Sequence, residues 1–254
     1  MAERALLKKH GKLRVSIIRP AIVISAYEEP TPGWTDTLAA GGGIIFGCTS
    51  GLMHVVYAHP WKIIDMIPVD YVSNTIICTT VYTACLEHPQ LIVCNSGTSH
   101  HNPATIKTIE IGIFQYAKHH PYYREFSKVS GMATGNPLVF WPLIYLTQKL
   151  PAKLFEMKAN LPLVGSASQR DQAKQLNRIL SKMLEVQLVF KYFANQEWIY
   201  QSNVVENVMA KMSPEDRRDF QFNVRNIDWL HCFALFSYGL RRFFIKEDCV
   251  QPGL

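Results

Sequence analysis

Residues 14–74 decide the fold of this chain, and they contain RVSIIRPAIVIS (14–25), EEPTPGWTD (28–36), GGGIIFGCTSG (41–51) and DMIPVDYVSN (65–74). These segments indicate, in turn, an apolar strand, a loop rich in proline and glycine, a glycine-spaced segment, and a short strand that opens a helix. The run from Leu13 to Ile24 is nearly continuous in valine, isoleucine and leucine. Such a run predicts a strand covered on both faces within a parallel sheet, and therefore an α/β fold.

The segments downstream of the loop predict helices. Asp70 is a typical capping residue for a helix over residues 71–87. The spacing of apolar residues predicts that the core face of this helix contains Val72, Ile76, Val81, Ala84 and Cys85. Asn102-Pro103 predicts the start of another helix, because asparagine caps well and proline is favoured at the first position. The block 39–51 holds five glycines, which disfavours a stable helix.

Composition and charge narrow the functional classes. The 254 residues are 48% hydrophobic and 18% charged, which is typical of a globular protein. The net charge of +6 favours an anionic partner, but the basic residues are scattered along the sequence, so no nucleic-acid partner is predicted. A phosphate-bearing cofactor or an anionic membrane surface fits this excess better. The six cysteines form no C-x-x-C pair, which predicts reduced thiols in a reducing compartment and no metal site.

The character of the chain changes after residue 120. Prolines at 121, 137, 142, 151 and 162 are expected to break any long helix over residues 121–165. Within that region LVFWPLIYL (138–146) is strongly apolar, and it is interpreted either as a loop or helix buried against the core or as an interfacial membrane-binding segment. The last ninety residues indicate helices, with a capping box at Ser168 and Asp171 and a helix start at Ser213-Pro214.

Three motifs invite a catalytic or binding interpretation that their context does not favour. GGGIIFG (41–47) has the spacing of a dinucleotide phosphate loop, but a proline-rich loop precedes it, so the wall of a substrate cleft is the preferred interpretation. Tyr145-x-x-x-Lys149 has the spacing of the catalytic pair of short-chain dehydrogenases, yet it follows the strand that it should precede. His100-His101 and His119-His120 are adjacent pairs whose side chains are expected to point apart, which disfavours metal binding.

An ordered set of motifs resembles the fatty acyl-CoA reductases of the male sterility protein family. The first part of the set is Arg19-Pro20-x-Ile22-Val23, Glu29-Pro30-x-Pro32-Gly33-Trp34-x-Asp36, Asp65-x-Ile67-Pro68-Val69-Asp70-x-Val72-x-Asn74 and Ser96-Gly97. The second part is Phe193-x4-Trp198, Asn203, Ser213-x-Glu215-Asp216, Phe220-x-Phe222, Ile227-Asp228-Trp229, Tyr238-Gly239-x-Arg241-Arg242 and Lys246-Glu247. Asn223 and Ala21 depart from the family pattern, in which Asp and Ser are usual.

The resemblance implies an extended short-chain dehydrogenase fold and the reduction of a long-chain acyl-CoA to a primary alcohol by NADPH, with two hydrides. It assigns Pro20, Ile22 and Val23 to cofactor binding. It assigns the loop residues Gly33 and Trp34, with Asp70, to substrate binding. It also implies an intracellular, membrane-associated location, in the peroxisome or the endoplasmic reticulum.

The family's glycine-rich phosphate loop and its catalytic Tyr-x-x-x-Lys belong before the Arg-Pro strand, and Met1-Ala2-Glu3-Arg4 resembles the residues that follow that lysine. The fold prediction is therefore an incomplete Rossmann-like part with a substrate-binding subdomain over residues 1–120. An apolar connector that could contact a membrane follows over 121–165, and an all-helical domain over 166–254. No catalytic residue is assigned to this chain.

Two hypotheses follow from the resemblance. In the first, the chain is the carboxy-terminal part of a fatty acyl-CoA reductase, and activity needs a complementary chain with the nucleotide-binding half. In the second, it is a short paralogue without catalysis that acts as a structural or lipid-contacting subunit, and the exposed side of the strand over 13–24 is covered by a stable interface. An acyl-CoA binding module without reductase activity is a weaker third.

Overall fold

The structure is a computed structural model that describes residues 2–39, 41–88, 90–122, 127–162 and 165–253. Its α-helices are α1 (Ala2–Lys9), α2 (Gly42–Thr49), α3 (Val69–Ala84), α4 (Ile106–His119), α5 (Pro137–Ile144), α6 (Leu150–Asn160), α7 (Ala167–Ala194), α8 (Asn203–Lys211), α9 (Pro214–Asp219) and α10 (Trp229–Gly239). Its strands are β1 (Val15–Pro20), β2 (Ile22–Ile24), β3 (Val55–Val56), β4 (Ile63–Ile64), β5 (Met66–Pro68), β6 (Leu91–Ser96), β7 (Ala104–Thr105) and β8 (Met132–Ala133). Mixed helices and short, mostly parallel strands fit a partial Rossmann-like domain with a helical region.

The strands pair two by two. β1 runs parallel to β6 in the register Val15 to Leu91 through Pro20 to Ser96. β2 is parallel to β5, β3 is parallel to β8, and β4 is antiparallel to β7. Parallel neighbours need a crossover, and α3 provides it by packing against both β1 and β6.

The predicted strand over 13–24 differs from the observed one in two ways. It is interrupted at Ala21, whose N–H donates to the Ser96 carbonyl while the Ile22 N–H donates to the Asp65 carbonyl, so the chain moves from β6 to β5 at this point. It is also not covered on both faces: β1 is half-buried, and its last two residues are exposed. The expectation of a fully covered strand is therefore wrong for the described residues.

The glycine-rich block forms helix α2, contrary to prediction. Its residues Ile45 and Cys48 lie in the core, and a Cβ at Gly47 would come within 2.6 Å of the Met53 sulfur. Close packing therefore offsets the low helix propensity of glycine. The N–H groups of Gly42 and Gly43 donate to the carbonyls of Ala39 and Leu38, so these amides are already occupied.

Helix α3 buries a different face from the predicted one. Val72 is buried as expected, whereas Ile76, Val81, Ala84 and Cys85 are exposed. The buried residues are Asp70, Tyr71, Val72, Asn74, Thr75, Cys78, Thr79 and Thr83. Two of these threonines satisfy their hydroxyls within the helix, where Thr75 donates to the Tyr71 carbonyl at 2.7 Å and Thr83 to the Thr79 carbonyl at 2.6 Å. A hydroxyl that is satisfied in this way can be buried, and the apolar pattern alone does not reveal it.

Three predicted helix starts are wrong. Helix α3 begins after Pro68, and the Asp70 side chain does not cap it. Helix α4 begins after Thr105, whose hydroxyl accepts from the Thr108 N–H, because Asn102 is bonded elsewhere. The capping box of α7 is formed by Ser166 and Gln169 instead of Ser168 and Asp171. The start at Ser213 is confirmed, since its hydroxyl accepts from the Asp216 N–H at 3.0 Å.

The prolines after residue 120 do not prevent a long helix. α5, a π-helical turn (Tyr145–Lys149) and α6 follow one another directly from Pro137 to Asn160. Pro137 and Pro151 lie in the first turns of α5 and α6, where a missing N–H is tolerated, and Pro142 is the only proline inside the described part of α5. α6 packs along α7, which is 28 residues long.

One core joins most of the chain. Ile67 and Tyr71 from the first half pack in the same cluster as Val208, Phe233 and Phe236 from the second half. α10 and α4 form the most extensive helix pair within that core. A smaller cluster of Val55, Tyr57, Phe140 and Ile144 attaches α5 to the region of β3. The domain limits at residues 120 and 165 stay a prediction.

Candidate functional site

An apolar cavity of about 370 Å³ lies between the strands and helices of the described residues and opens to the surface at the exposed Ile22, Phe190 and Phe193. Its walls come from parts of the chain that are distant in sequence: the short strands β2, β3, β4, β5 and β8, and the helices α2, α4 and the carboxyl end of α7. The lining residues are Ile22, Gly41, Ile44, Ile45, Cys48, Val56, Ala58, Ile64, Met66, Ile106, Ile109, Glu110, Ile113, Phe114, Met132, Ala133, Phe190, Phe193 and Ala194. Its volume and apolar walls are those of a site for a small apolar ligand or a hydrocarbon chain.

Helix α4 forms the longest wall of the cavity. Ile106, Ile109 and Ile113 recur at helical spacing on its inner face, while Ile111 on the outer face is exposed. The amphipathic spacing of α4 therefore turns a stripe of isoleucines toward the cavity.

Two groups in the cavity wall are polar. Glu110 is the one charged residue among the described lining residues; its carboxylate accepts from Lys107 and from the Ala133 N–H. Cys48 is fully buried, and burial raises the pKa of its thiol to about 12. Both groups are thus held in fixed states, with the Glu110 charge paired and the Cys48 thiol protonated, so neither disturbs the apolar character of the cavity.

The predicted cofactor residues lie where β1 ends. Pro20 is the last residue of β1 and Ile22 the first of β2, and both are exposed, while Val23 is half-buried. Ligands of parallel α/β sheets bind beyond the carboxyl ends of the strands, and these residues occupy that position. Ile22 also lines the cavity. The strand end therefore presents an exposed apolar edge that borders the cavity, and its role in cofactor binding stays a prediction.

Asp70, whose substrate-binding role stays a prediction, holds the loop that follows β2. Its carboxylate accepts from the N–H groups of Tyr27, Glu28 and Glu29 at 2.8 to 3.1 Å. The side chain is buried, and it does not line the cavity. These contacts make Asp70 a residue that positions the loop.

Gly33 and Trp34 close the same loop. The Gly33 N–H donates to the Ala26 carbonyl at 2.8 Å, and the Ala26 N–H donates to the Trp34 carbonyl at 3.0 Å. Gly33 has φ +79° and lies so close to α10 that a Cβ would be 2.5 Å from the Leu235 carbonyl oxygen. Trp34 is partly exposed. Neither residue lines the cavity, so their substrate-binding role stays a prediction.

A second buried carboxylate, Asp65, was not singled out by sequence reasoning. It accepts from the N–H and hydroxyl of Thr98 and from the N–H and hydroxyl of Ser99. The Ser99 hydroxyl oxygen in turn accepts from the Tyr200 N–H at 3.1 Å. Asp65 therefore ties β5 to the segment after β6 and to the second half of the chain. Asp65 and Asp70 are the first and last residues of the D-x-I-P-V-D motif. The second aspartate in this short motif is the sequence signal from which a role for Asp65 could have been predicted.

The other candidate motifs are remote from the cavity lining. Tyr145 and Lys149 lie in the π-helical turn and are exposed. The His100 and His101 rings do not point apart as expected; their centroids are 4.4 Å apart, and His101 also contacts Glu206 and Arg225. Over residues 2–39, 41–88, 90–122, 127–162 and 165–253, no group of three or more His, Cys, Asp or Glu side chains could hold a metal ion.

Comparisons with known proteins identify the family. Two family models, both described as "Male sterility protein", match residues 1–76 and 147–247. Together they match more than two thirds of the sequence and include both the β1–β2 edge and the α7 wall of the cavity. The chain belongs to the male sterility protein family. The resemblance inferred from the motifs is thereby confirmed.

Individual relatives are fatty acyl-CoA reductases. Fatty acyl-CoA reductase 2 of Homo sapiens is 26% identical over 250 residues, which are 98% of this chain and 47% of the relative. Fatty acyl-CoA reductase 1 of Xenopus laevis is 25% identical over 248 residues, again 98% of this chain and 47% of the relative. The chain therefore spans about half the length of these curated relatives.

Membrane association was also expected from the sequence. Within the described residues, no helix combines the length and the apolar character needed to cross a bilayer.

Proposed function

We propose that this chain forms the acyl-binding and nicotinamide-side part of an NADPH-dependent fatty acyl-CoA reductase, which converts a long-chain acyl-CoA to a primary alcohol. The chain alone is proposed not to complete the reaction. The observation that carries the proposal is the continuity of the apolar cavity with the exposed edge at Ile22. A thioester carbon held at that edge would have its hydrocarbon chain inside the cavity.

The cavity volume sets a scale for the acyl chain. At roughly 30 Å³ for a group the size of a water molecule, 370 Å³ accommodates about twelve methylene-sized groups. Each methylene that enters an apolar site contributes about 0.8 kcal/mol, or about fourfold in affinity. Acyl-CoA affinity should therefore rise by about fourfold per carbon and level off once the cavity is filled.

In this proposal Pro20, Ile22 and Val23 hold the nicotinamide end of the cofactor. The bound cofactor would supply the hydride. Pro20 and Ile22 offer an apolar surface to the ring, and Ile22 separates the ring from the cavity mouth. Asp70 and Gly33 keep the loop after β2 in place and so act on the site indirectly.

A nucleotide-binding partner would dock beside β1. Among the described residues β1 pairs only with β6, so its other edge presents free backbone groups. The outer face of α3 nearby exposes Ile76, Ile77 and Val81. Parallel sheets in α/β proteins are normally covered on both faces. A unit that adds a strand to β1 and covers α3 would complete such a sheet and bring the phosphate-binding groups.

Binding of acyl-CoA by the isolated chain tests the cavity. Isothermal titration with a series of saturated acyl-CoA thioesters should give the rise and plateau described above. Ile106→Trp, which fills the cavity, should weaken the longest thioesters by about tenfold or more. Ile111→Trp is the matched control on the outer face of the same helix and should bind normally. Affinity that is independent of chain length, or equal in both variants, would refute the assignment.

Complementation distinguishes the reductase from the non-catalytic alternative. The chain is mixed with a separately expressed nucleotide-binding part of a family reductase, and NADPH oxidation with a long acyl-CoA is followed. Turnover that appears only in the mixture supports the proposal. Turnover by the chain alone contradicts the claim of incompleteness, whereas a stable complex that binds NADPH without turnover favours a structural or lipid-contacting subunit.

A further inference from the structure

The outer face of the helix from Pro137 to Asn160 is apolar and uncovered in the structure. We call the exposed residues Leu138, Trp141, Tyr145 and Leu146 the α5 surface. Leu138 is 83% exposed and Leu146 is 57% exposed. The opposite face is also apolar, because Phe140 and Ile144 are fully buried against Val55 and Tyr57.

A segment that is apolar on all sides needs a partner on its outer face. A surface helix of a water-soluble domain normally presents polar residues to solvent. α5 has none: its sequence is PLVFWPLI. Tryptophan and tyrosine, both present on the α5 surface, are the side chains enriched where a bilayer meets water.

The charge around the α5 surface indicates which partner it fits. Residues 137–194, which form α5, α6, α7 and their connections, hold eight basic and three acidic residues. This excess is nearly the whole net charge of +6 for the chain. The basic residues are scattered along the sequence, but the excess of basic over acidic residues falls mainly in this one helical unit. Lys149, Lys153 and Lys158 continue the same helix directly after the α5 surface, and all three are exposed.

The one acidic residue of that helix does not oppose this arrangement. Glu156 accepts a hydrogen bond from the Asn177 amide of α7 at 2.9 Å, so its carboxylate is engaged with α7. The outward face is thus apolar in α5, and in α6 the exposed Leu154 and Met157 lie between Lys153 and Lys158, which is the distribution of an interfacial helix.

We propose that the α5 surface docks onto the face of an anionic lipid bilayer, with Leu138, Trp141, Tyr145 and Leu146 inserted at the headgroup level. Lys149, Lys153 and Lys158 contact lipid headgroups. The helix lies in the plane of the interface and does not cross it. This inference stands independently of the proposed reaction.

Docking would hold the apolar cavity close to the lipid. Phe140 and Ile144, beneath the α5 surface, pack against Leu184 of α7. Leu184 precedes the cavity-lining Phe190 by six residues, or about 9 Å along the helix at 1.5 Å per residue. The chain would then meet a hydrocarbon substrate at the surface where such molecules partition.

Vesicle co-sedimentation tests the proposal. The chain is incubated with phosphatidylcholine vesicles that contain or lack phosphatidylserine, and bound protein is measured after centrifugation. We expect strong binding only when phosphatidylserine is present. The double variant Leu138→Glu/Leu146→Glu should reduce the partition coefficient by more than tenfold. Its control is Leu7→Glu/Leu13→Glu, whose leucines are 55% and 68% exposed on another part of the chain and whose charge change is the same.

The lysines are tested separately. Lys149→Gln/Lys153→Gln/Lys158→Gln should lose about fivefold in affinity per lysine, whereas Lys8→Gln/Lys9→Gln/Lys12→Gln should lose much less. Circular dichroism confirms that every variant is folded. The proposal is overturned if the chain binds neither kind of vesicle, or if Leu138→Glu/Leu146→Glu binds as strongly as the parent chain. A dimer in sedimentation velocity that this variant dissociates would also overturn it, since a second copy would then cover the surface.

Discussion

Replacement of Asp70 by alanine should destabilise the chain strongly. The carboxylate accepts from three main-chain N–H groups, and the Tyr27 N–H is buried. A hydrogen bond to a charged group contributes about 1.5 to 3 kcal/mol, and a buried donor without a partner costs about 1 to 3 kcal/mol. Water can reach the half-buried Glu28 and Glu29 amides after the change, so we expect a loss of about 3 to 5 kcal/mol in the free energy of unfolding.

Urea denaturation followed by far-ultraviolet circular dichroism measures this loss. Asp70→Asn keeps one acceptor oxygen but removes the charge, and it should cost about 2 kcal/mol. Asp36→Ala and Asp36→Asn are the controls, because Asp36 is an exposed carboxylate of the same loop; they should change stability by less than about 0.5 kcal/mol.

Two results would refute this reasoning. If Asp70→Ala is no more destabilising than Asp36→Ala, the loop does not depend on the Asp70 carboxylate. Alternatively, Asp70→Asn could keep full stability and lose acyl-CoA binding. Asp70 would then contact the substrate directly, as its motif position predicts.

Two further predictions concern backbone and pH. Gly33→Ala should lower the free energy of unfolding by about 3 kcal/mol or more in urea denaturation, because φ is +79° and the new Cβ would be 2.5 Å from the Leu235 carbonyl oxygen. Gly41→Ala is the control: its φ is +90°, but the new Cβ would lie in open space, so it should cost only about 1 kcal/mol. An equal loss of stability in the two variants would show that α10 moves to accommodate the new Cβ and would contradict this prediction. Burial raises the pKa of the Cys78 and Cys94 thiols to about 11 from the ordinary value of 9. As the pH rises, these thiols therefore lose their protons in the unfolded chain before they do so in the folded chain. The free energy of unfolding should fall between pH 9 and about pH 11. The decline should be shallower in Cys94→Ala, and a flat profile in the parent chain would contradict the burial effect.

Local signals predicted several elements well. The short strand that opens a helix within residues 65–74 is observed as β5 followed directly by α3, and the helix start at Ser213 is observed with its expected capping bond. These features depend on residues within a few positions of one another, and such short-range chemistry can be read from sequence.

Long-range contacts explain why the helix caps predicted at Asn102 and Asp70 do not form. Asn102 was expected to cap a helix, but its amide donates to the carbonyls of Val224 and Ile227, more than 120 residues away. Asp70 was expected to cap α3, yet its partners lie 41 to 43 residues earlier. The same Asn or Asp side chain can cap a nearby helix or form a hydrogen bond with a residue distant in sequence. The sequence alone does not show which of the two occurs.

The cavity could be predicted only at its edge. Ile22 was assigned to the cofactor side from the family resemblance, and it does lie at the rim. The remaining wall joins α2, α4 and Phe190 of α7, so it depends on a contact between segments about 145 residues apart. The glycine-rich block was expected to form a cleft wall, and Gly41, Ile44 and Cys48 do line the cavity, although as a helix.

Photo-crosslinking tests the central claim most directly. A long-chain acyl-CoA with a diazirine at the end of its hydrocarbon chain is bound to the isolated protein, irradiated, and mapped by mass spectrometry. We predict labelling within Ile106–Phe114 and Phe190–Ala194, the two walls of the apolar cavity, and its suppression by Ile106→Trp. Labels confined to Leu138–Leu146, or an unchanged yield in Ile106→Trp, would contradict the claim that this cavity holds the acyl chain.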